Sequence, residues 1–420
     1  MRQSAKAGTA MGMRTTANTS KRCPKTMRAI ALLLALACAS SICLSACVSN
    51  GPGTAASSSQ TASVDQPNST EQEPVLRDVG IIENTDYDSF YLDIAIDDFN
   101  ALGFAYGDSV DIVLSNGFTA ENIPYYSGYF APYGDLQLCA YQGMSYIIFC
   151  SNCGHLWSVS NVTSDDTATV TLHERGTYRT LQDTMGKSSS SAREDYASDA
   201  AFANFRALKG GSLKLNLFYR SASPYNNYYN RAPYVDALMR EAGINFVLDL
   251  ADSAEKTDGY IAKDDFNSPY FLELYNSGRV ASLNLYPNFK EDAYRASLIA
   301  GLRQLMQNDG PYLINCLEGR DRTGFVSALI ESLAGASYDE IKTDYMISYA
   351  NNYGITEESS PESYQAVCDV RLSEILCSIA ALEDGSDLEN VDYQAAAKRY
   401  LLDGGMSEAE VDQLIDLICS

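Results

Sequence analysis

Apolar and polar positions alternate over short runs in the first part of the chain. Between residues 77 and 180, runs rich in Val, Ile, Leu and Tyr are separated by turns that contain Gly, Asn and Asp. The clearest runs lie at 109–114, 136–141, 146–150 and 167–172. Short strands at this spacing predict a small all-β domain over residues 77–180, either a barrel or a sandwich.

A different pattern begins near residue 199 and continues to residue 420. Short buried strands alternate there with helical patterns, and Ser-x-x-Glu sequences at Ser337 and Ser407 predict two helix starts. This alternation predicts an α/β domain with a central, mostly parallel sheet flanked by helices. The serine-rich stretch 181–198 is predicted to link the two domains. The predicted strands are 246–250, 280–285 and 312–314, and the predicted helices include 293–308 and 325–333.

The first 47 residues have the pattern of a signal peptide. They hold seven Lys and Arg residues and no acidic residue, with an apolar run at 29–39. An uncleaved membrane-spanning helix is the alternative, but the run is short and is interrupted by Ser40 and Ser41. The sequence from Leu44 to Cys47 resembles a bacterial lipoprotein signal, which implies that Cys47 carries the lipid.

Residues 48–76 consist mostly of Ser, Thr, Gln, Gly and Pro. Because such a segment cannot bury enough apolar surface to fold, we predict a disordered tether. A tether that follows a lipidated cysteine predicts a protein anchored to the cell membrane, on its extracytoplasmic face.

Composition narrows the classes of function. The net charge of −24, with no basic tract after residue 47, argues against a nucleic-acid partner. His155 and His173 are the two histidines, and both precede residue 180, which excludes a Cys-His pair or a Ser-His-Asp triad within the second domain. No metal or other cofactor is expected.

Among Cys139, Cys150 and Cys153 a disulfide is favoured over a zinc site, because zinc needs four ligands.

The candidate chemistry lies in the loop from Asn315 to Gly324, which joins a predicted strand to a predicted helix. A strand, a tight loop and a helix N-terminus together aim backbone N–H groups at a bound anion. Cys316 and Arg322 are separated by five residues. This spacing fits one phosphate, with a thiolate beneath the phosphorus and a guanidinium over the oxygens.

The pattern C-x-x-G-x-x-R-T in this context resembles the cysteine-dependent protein tyrosine phosphatases. It is most similar to the bacterial tyrosine/lipid phosphatase branch, whose loop usually reads H-C-x-A-G-K-D-R-T-G. The resemblance extends over about 199–418 and includes the segments 204–206, 219–222, 247–250 and 344–346. It implies a hydrolase that cleaves phosphomonoesters through a cysteinyl-phosphate intermediate, without a cofactor.

The resemblance also implies the roles of individual residues. Cys316 is expected to be the nucleophile, Arg322 to stabilise the transition state and Asp321 to be the general acid. Thr323 is expected to hydrogen-bond the thiolate, and Arg320 replaces a lysine and favours multiply phosphorylated or lipid substrates. The residues expected to bind the substrate are Leu317, Glu318, Gly319, Arg320, Thr323, Gly324 and Arg220.

Three residues depart from the family pattern. Asn315 replaces a histidine, Glu318 replaces an alanine and Ala251 replaces an arginine. Two functions therefore stay open. The first is a phosphatase that acts on a phosphorylated protein, a phosphoinositide or an inositol phosphate. The second is a catalytically weak or inactive cell-surface protein that uses the loop to bind a phosphate.

Overall fold

The computed structural model describes residues 73–141, 143–383 and 386–419. The predicted signal peptide with Cys47, and all but the last few residues of the predicted tether, lie outside these ranges. Within the described ranges, none of the helices has the length and hydrophobicity needed to cross a membrane.

The first part of the described chain is a closed barrel. Its elements are β1 Val75–Asn84, β2 Ser89–Ala95, α1 Ile96–Ala101, β3 Ser109–Leu114, β4 Thr119–Tyr126, β5 Leu136–Cys139, β6 Tyr146–Ser151, α2 Leu156–Ser160 and β7 Thr167–Glu174. The strand order is β1-β2-β6-β5-β4-β3-β7, and β7 pairs with β1 to close the barrel. Neighbouring strands are antiparallel, except that β4 and β5 run parallel.

Side chains at alternate strand positions fill the barrel. Val110, Ile112 and Leu114 of β3 point inwards together, as the two-residue period of a strand requires. Phe90 and Phe149 meet edge to face across neighbouring strands. The open choice between a barrel and a sandwich is therefore decided for the barrel, and the expected all-β domain also contains the two short helices α1 and α2.

The second part of the described chain is a sheet covered by helices. After α3 Arg179–Met185, its elements begin with α4 Asp199–Phe202, β8 Arg206–Ala207, β9 Phe218–Ser221, α5 Ala232–Glu241, β10 Phe246–Asp249, α6 Ala254–Ile261, α7 Pro269–Asn276 and β11 Val280–Ser282. They continue with α8 Asp292–Met306, β12 Tyr312–Asn315, α9 Asp321–Leu333, α10 Tyr338–Tyr353, α11 Pro361–Val367, a π-helical turn Cys368–Leu372, α12 Ser373–Ala380, α13 Tyr393–Asp403 and α14 Glu408–Ile418.

The sheet has the strand order β11-β10-β12-β9-β8. β9 to β12 run parallel, and β8 pairs antiparallel with β9, so the sheet is mixed. Both faces are apolar: Tyr312 and Ile314 of the central strand face the cluster that contains α8, α9 and α13, whereas Leu313 faces α5 and α7. Because helices cover both faces, the strands are short continuous hydrophobic runs.

The carboxyl end of the central strand β12 carries the candidate loop. Clefts at the carboxyl ends of parallel strands are the usual binding sites of α/β sheets. The helix that follows, α9, is buried at nearly all of its positions, including Thr323, Gly324 and Glu331. The loop is therefore fixed at both ends by buried elements.

The stretch predicted as a linker, 181–198, contains the end of α3 and a 3-10 turn at Arg193–Asp195. The α3 helix contacts α11 of the second part, where Thr184 Oγ1 and Ser363 Oγ lie 2.9 Å apart. This helix is therefore packed against the helical part of the chain.

The predicted disulfide among the barrel cysteines is wrong, since Cys139, Cys150 and Cys153 are all free thiols. In the register of β5 and β6, Cys150 lies opposite Gln137, and Cys139 lies opposite Ile148. The two buried cysteines consequently do not face each other. Cys153 is exposed in the turn after β6.

Both predicted capping boxes are confirmed, and they generate a test of the fold. At α10, the Ser337 hydroxyl accepts from the Glu340 N–H, and the Glu340 carboxylate accepts from the Ser337 N–H.

Ser337→Ala is expected to lower the free energy of unfolding by about 1 kcal/mol, because an N-terminal helix amide loses its acceptor. Chemical denaturation measures this loss. Ser191→Ala, at an exposed serine outside the helices, is the control, and equal stability of the two variants would contradict the capping role.

Candidate active site

The loop places one thiol beside a series of backbone amide groups. Cys316 comes directly after β12 and is 3% exposed. Across the described chain, the amide groups of residues 317–323 find no hydrogen-bond acceptor. Together with the N-terminus of α9, they form a site for the oxygens of one anion. The amide of Gly324 is not part of this site, contrary to expectation, because it donates to the Arg320 carbonyl at 2.8 Å.

Glycine is required at one position of the loop. Gly319 has a φ of +68°, and an added Cβ would lie 2.3 Å from the Ser221 carbonyl oxygen. Both the left-handed backbone and the close approach of β9 exclude a larger residue. Gly319 therefore shapes the loop and brings it against the neighbouring strand.

Arg220 holds the loop from behind. Its Nη2 donates to the carbonyls of Gly319 at 2.8 Å and Arg320 at 3.2 Å. Its Nη1 lies 2.5 Å from the Asp344 carboxylate. Arg220 is fully buried, so the expected contact with substrate is corrected to a supporting role. Asn204 adds a second support, since its side-chain amide donates to the carbonyls of Glu318 and Gly319 at 3.1 Å.

A buried charge cluster surrounds this support. Asp344 also accepts from Arg206 Nε at 2.7 Å. Burial raises the pKa of Asp344, but the two arginines outweigh burial and hold that pKa below its ordinary value. Burial and the neighbouring Asp344 raise the pKa of Glu331 well above its ordinary value. One carboxylate, Asp344, thus balances Arg206 and Arg220.

Arg322 extends from the first turn of α9 to the mouth of the loop. Its Nη1 donates to the backbone carbonyls of Leu285 at 3.0 Å and Ala251 at 3.3 Å. Burial lowers its pKa, but attraction by Cys316 and nearby carboxylates raises that pKa overall. The other guanidinium N–H groups are available for phosphate oxygens. The buried Thr323 hydroxyl has no partner within the described chain and is available to the thiolate.

Asn315 and Ala251, two of the departures from the family pattern, meet at Asp249. The Asn315 side-chain amide and the Ala251 N–H each donate to Asp249 Oδ1 at 3.1 Å. The Tyr225 hydroxyl donates to Asp249 Oδ2 at 2.6 Å. Burial raises the pKa of Asp249 to about 7, although the hydrogen bonds from Tyr225 and from the Ala251 N–H oppose the shift. Asp249 is therefore a buried group that orients the residue before the nucleophile.

Asp321 stands at the first position of α9 in a bidentate pair with Arg320. The guanidinium Nε and Nη2 lie 2.9 Å and 3.0 Å from its two oxygens. Burial raises the pKa of Asp321, but Arg320, with Arg371 and Arg322, lowers it overall. The carboxylate is thus ionised over a wider pH range than an isolated aspartate.

Arg320 is fully engaged by its neighbours. Besides Asp321, it lies 3.4 Å from the Glu318 carboxylate and over the rings of Tyr349 and Tyr353. It also donates to the Tyr353 hydroxyl. Glu318, the other departure, is paired with Arg320 and with Tyr353, so its charge is balanced beside the phosphate site.

The sequence predicts the loop and a supporting role for Arg220, toward either the loop or the substrate, but it does not predict the other residues that hold the loop. Asn204 and Asp344 lie in segments that carry the family resemblance, yet their spacing from Cys316 gives no sign of contact with the loop. Tyr353, at the end of α10, has no local motif. Tyr133, from the barrel, lines a small cavity together with Asp321. Only the fold brings these residues to the site.

Comparison with known proteins agrees with this geometry. The family model described as the tyrosine phosphatase family matches residues 201–419. The chain belongs to the tyrosine phosphatase family. The loop from Asn315 to Gly324, which carries the C-x-x-G-x-x-R-T pattern, lies within the matched residues.

Individual relatives match part of this chain. The triple specificity protein phosphatase PtpB of Mycobacterium tuberculosis is 32% identical over 117 residues, which cover 25% of this chain and 42% of that protein. The chain therefore aligns with less than half of that relative's length.

Two solved structures are more distant. TpbA of P. aeruginosa in complex with pTyr is 16% identical, with a TM-score of 0.25, and the match covers 48% of this chain and 96% of that one. The core catalytic domain of the PP-IP phosphatase SIW14 from S. cerevisiae, in complex with citrate, is 15% identical. Its TM-score is 0.23, and the match covers 39% of this chain and 86% of that one.

The environment of Gly319 generates one prediction. Gly319→Ala is expected to lower kcat/KM for p-nitrophenyl phosphate by about 100-fold, because the loop must move to relieve the contact with Ser221. Gly259→Ala in α6 is the matched control, since its added methyl group has no neighbour within 4 Å. Similar activity in the two variants would contradict the packing argument.

The Arg320–Asp321 pair generates a second prediction, on pH dependence. Because Arg320 lowers the pKa of Asp321, Arg320→Gln is expected to raise that pKa. If Asp321 acts as the general acid, the alkaline limb of the kcat profile for phenyl phosphate then moves to higher pH. Arg320→Lys keeps the positive charge and is expected to leave the limb nearer to its wild-type position. If the alkaline limb of the kcat profile does not move in Arg320→Gln, the Arg320–Asp321 pair does not set the pKa of the group that titrates there.

Proposed function

We propose that this phosphatase hydrolyses phosphotyrosine in proteins through a cysteinyl-phosphate intermediate. The observation that carries the proposal is the one-phosphate site formed by Cys316, the amide groups of residues 317–323 and Arg322. Arg320 is engaged by Asp321 and Glu318, so the loop offers no additional uncommitted arginine for a second phosphate.

In the first step, the Cys316 thiolate attacks phosphorus and the bond from phosphorus to the tyrosyl oxygen breaks. Arg322 and the loop amides stabilise the charge on the three non-bridging oxygens of the phosphoryl group as it moves to sulfur. Asp321 gives its proton to the leaving oxygen and becomes a carboxylate. Since the pKa of Asp321 is lowered, acidic pH favours the protonated form that this step needs.

In the second step, water attacks the phosphocysteine. The Asp321 carboxylate takes a proton from this water, a bond from oxygen to phosphorus forms, and the bond from sulfur to phosphorus breaks. Inorganic phosphate leaves and the thiolate is restored. The Thr323 hydroxyl, unpartnered among the described residues, is available to stabilise that thiolate.

The surroundings of the loop favour an aromatic phosphate ester. A groove beside Leu317 is lined by aromatic and polar side chains, which are Tyr225, Tyr228, Tyr260, Phe266, Asn226, Asn227, Lys263 and Asp265. Aromatic side chains bind the ring and the neighbouring residues of a tyrosyl peptide through their apolar faces. This composition supports a phosphotyrosyl peptide over a multiply charged inositol phosphate.

We also propose that the phosphatase acts on the extracytoplasmic face of the cell membrane, anchored by a lipid on Cys47. The basic start, the apolar run 29–39 and the sequence from Leu44 to Cys47 support this location. The polar stretch 48–76 acts as a linker that lets the catalytic part lie at a distance from the membrane surface.

The test of the reaction compares wild type with Cys316→Ser in the full chain. Wild type is expected to release phosphate from p-nitrophenyl phosphate, and Cys316→Ser to be at least about 1,000-fold slower, because it lacks the nucleophile. Phosphate release is measured directly. Equal rates in wild type and Cys316→Ser would contradict the proposed intermediate. No activity in either protein would favour the alternative of a phosphate-binding surface protein.

The test of the substrate compares kcat/KM for a phosphotyrosyl peptide with that for a soluble phosphoinositide and an inositol polyphosphate. The peptide is expected to be preferred by roughly tenfold or more, because its ring and flanking residues enter the aromatic groove. A preference for either inositol compound would contradict the assignment while leaving the phosphatase reaction intact.

A further inference from the structure

The barrel reaches the phosphatase site through the segment 127–135, which joins β4 to β5 and is called here the barrel loop. The ring of Tyr133 in this loop packs edge to face on Phe289, with 5.6 Å between centroids. Phe289 stacks on Phe325 of α9 at 4.3 Å. Because α9 also carries Asp321 and Arg322, a direct chain of ring contacts connects the barrel to the catalytic helix.

The barrel loop is fixed on the barrel side. The fully buried side chain of Gln137 accepts from the amides of Phe130 and Ala131 at 3.1 Å and 3.0 Å. The buried Asn152 side chain donates to the Ala131 carbonyl at 2.6 Å, and its backbone carbonyl accepts from Gly134 N–H at 2.7 Å. Two buried amide side chains therefore impose one conformation on the loop that presents Tyr133.

A buried ion pair fixes the same loop on the phosphatase side. Arg371 and Glu374 lie 3.2 Å apart and are both almost fully buried. Arg371 donates to the Phe130 carbonyl at 2.8 Å, and Glu374 accepts from the Tyr133 N–H at 2.5 Å. The Arg371 guanidinium lies 5.9 Å from the centre of the Tyr133 ring. Both charges of the pair are thus used to dock the barrel loop.

Tyr133 and Asp321 share one small cavity, whose other walls include Phe289, Tyr345 and Arg371. Burial, followed by the charge of Asp321, raises the pKa of Tyr133. Arg371 in turn is one of the cations that lower the pKa of Asp321. The proton donor of the proposed reaction therefore has the docked barrel loop as one of its neighbours.

We propose that Tyr133 of the barrel is a positioning residue of the phosphatase, which acts through Asp321 to direct protonation of the leaving group. The inference rests on the proposed cysteinyl-phosphate reaction and on Asp321 as its acid. The Tyr133 ring forms one wall of the cavity beside Asp321 and thereby limits the positions that the carboxyl group can adopt. The barrel is then a part of the active site, in addition to any ligand of its own.

The test uses the dependence of rate on the leaving group in the full chain. p-Nitrophenyl phosphate needs little protonation as it leaves, whereas phenyl phosphate needs a general acid. Tyr133→Ala is expected to lower kcat/KM for phenyl phosphate at least about tenfold more than for p-nitrophenyl phosphate. Tyr133→Phe keeps the ring and is expected to retain the wild-type ratio. Tyr129→Ala, at a half-exposed tyrosine of the same loop, is the matched control with the wild-type ratio.

A double-variant comparison tests whether Tyr133 works through Asp321. Once Asp321→Asn has removed the acid, adding Tyr133→Ala is expected to have no further effect on the ratio of the two rates. Glu374→Gln weakens the hydrogen bond that the Tyr133 N–H donates. This variant is expected to show a smaller selective loss of kcat/KM for phenyl phosphate, and it replaces Tyr133→Ala in the test if Tyr133→Ala does not fold.

Equal losses for both phosphate esters, or none, would overturn the inference and leave Tyr133 with a structural role only. An additional selective loss in the Asp321→Asn background would also overturn it. Failure of the proposed function would give a different result from failure of this inference, because wild type itself would then release phosphate from neither ester.

Discussion

One buried guanidinium, that of Arg220, holds the phosphate loop in shape. It binds two carbonyls of the loop, at Gly319 and Arg320, and thereby turns the opposite amide groups toward the anion site. Burial of an arginine requires a compensating charge, and Asp344 supplies it while also pairing with Arg206. Breaking such a buried pair typically costs about 3–5 kcal/mol, so the geometry of the loop is coupled to the stability of the domain.

Two aspartates at the site are placed in opposite environments. Asp249 is buried among neutral donors, which leaves its pKa raised to about 7. Asp321 is paired with Arg320, which keeps its pKa below the ordinary value. Asp249 therefore orients Asn315 and the strand end before Cys316, whereas Asp321 lies at the first position of α9 beside Arg320. The family's histidine is replaced by this Asn315–Asp249 contact.

Local patterns predicted those elements whose periodicity is strong. The strand before Cys316, the two capping boxes and four of the seven barrel strands follow from these patterns. The patterns miss β1, β2 and β4, and the pairing of β1 is irregular after Leu76. The start of α9 was placed too late, because its first turn is polar and its later turns are buried on all sides. Cys316 and Arg322 follow from the C-x-x-G-x-x-R-T pattern between a predicted strand and a predicted helix. Arg371 and Tyr133 could not, since only tertiary packing brings residues from such distant segments together.

In the proposed reaction, the loop forms a covalent bond with the phosphoryl group at Cys316. Mass spectrometry can detect this bond in protein quenched with acid during turnover of a good aryl phosphate, with Asp321→Asn used to slow hydrolysis of the intermediate. One added phosphoryl group is expected on the peptide that contains Cys316, and none in Cys316→Ser. Turnover without any phosphorylated Cys316 peptide, or with the phosphoryl group on another residue, would contradict the proposed reaction.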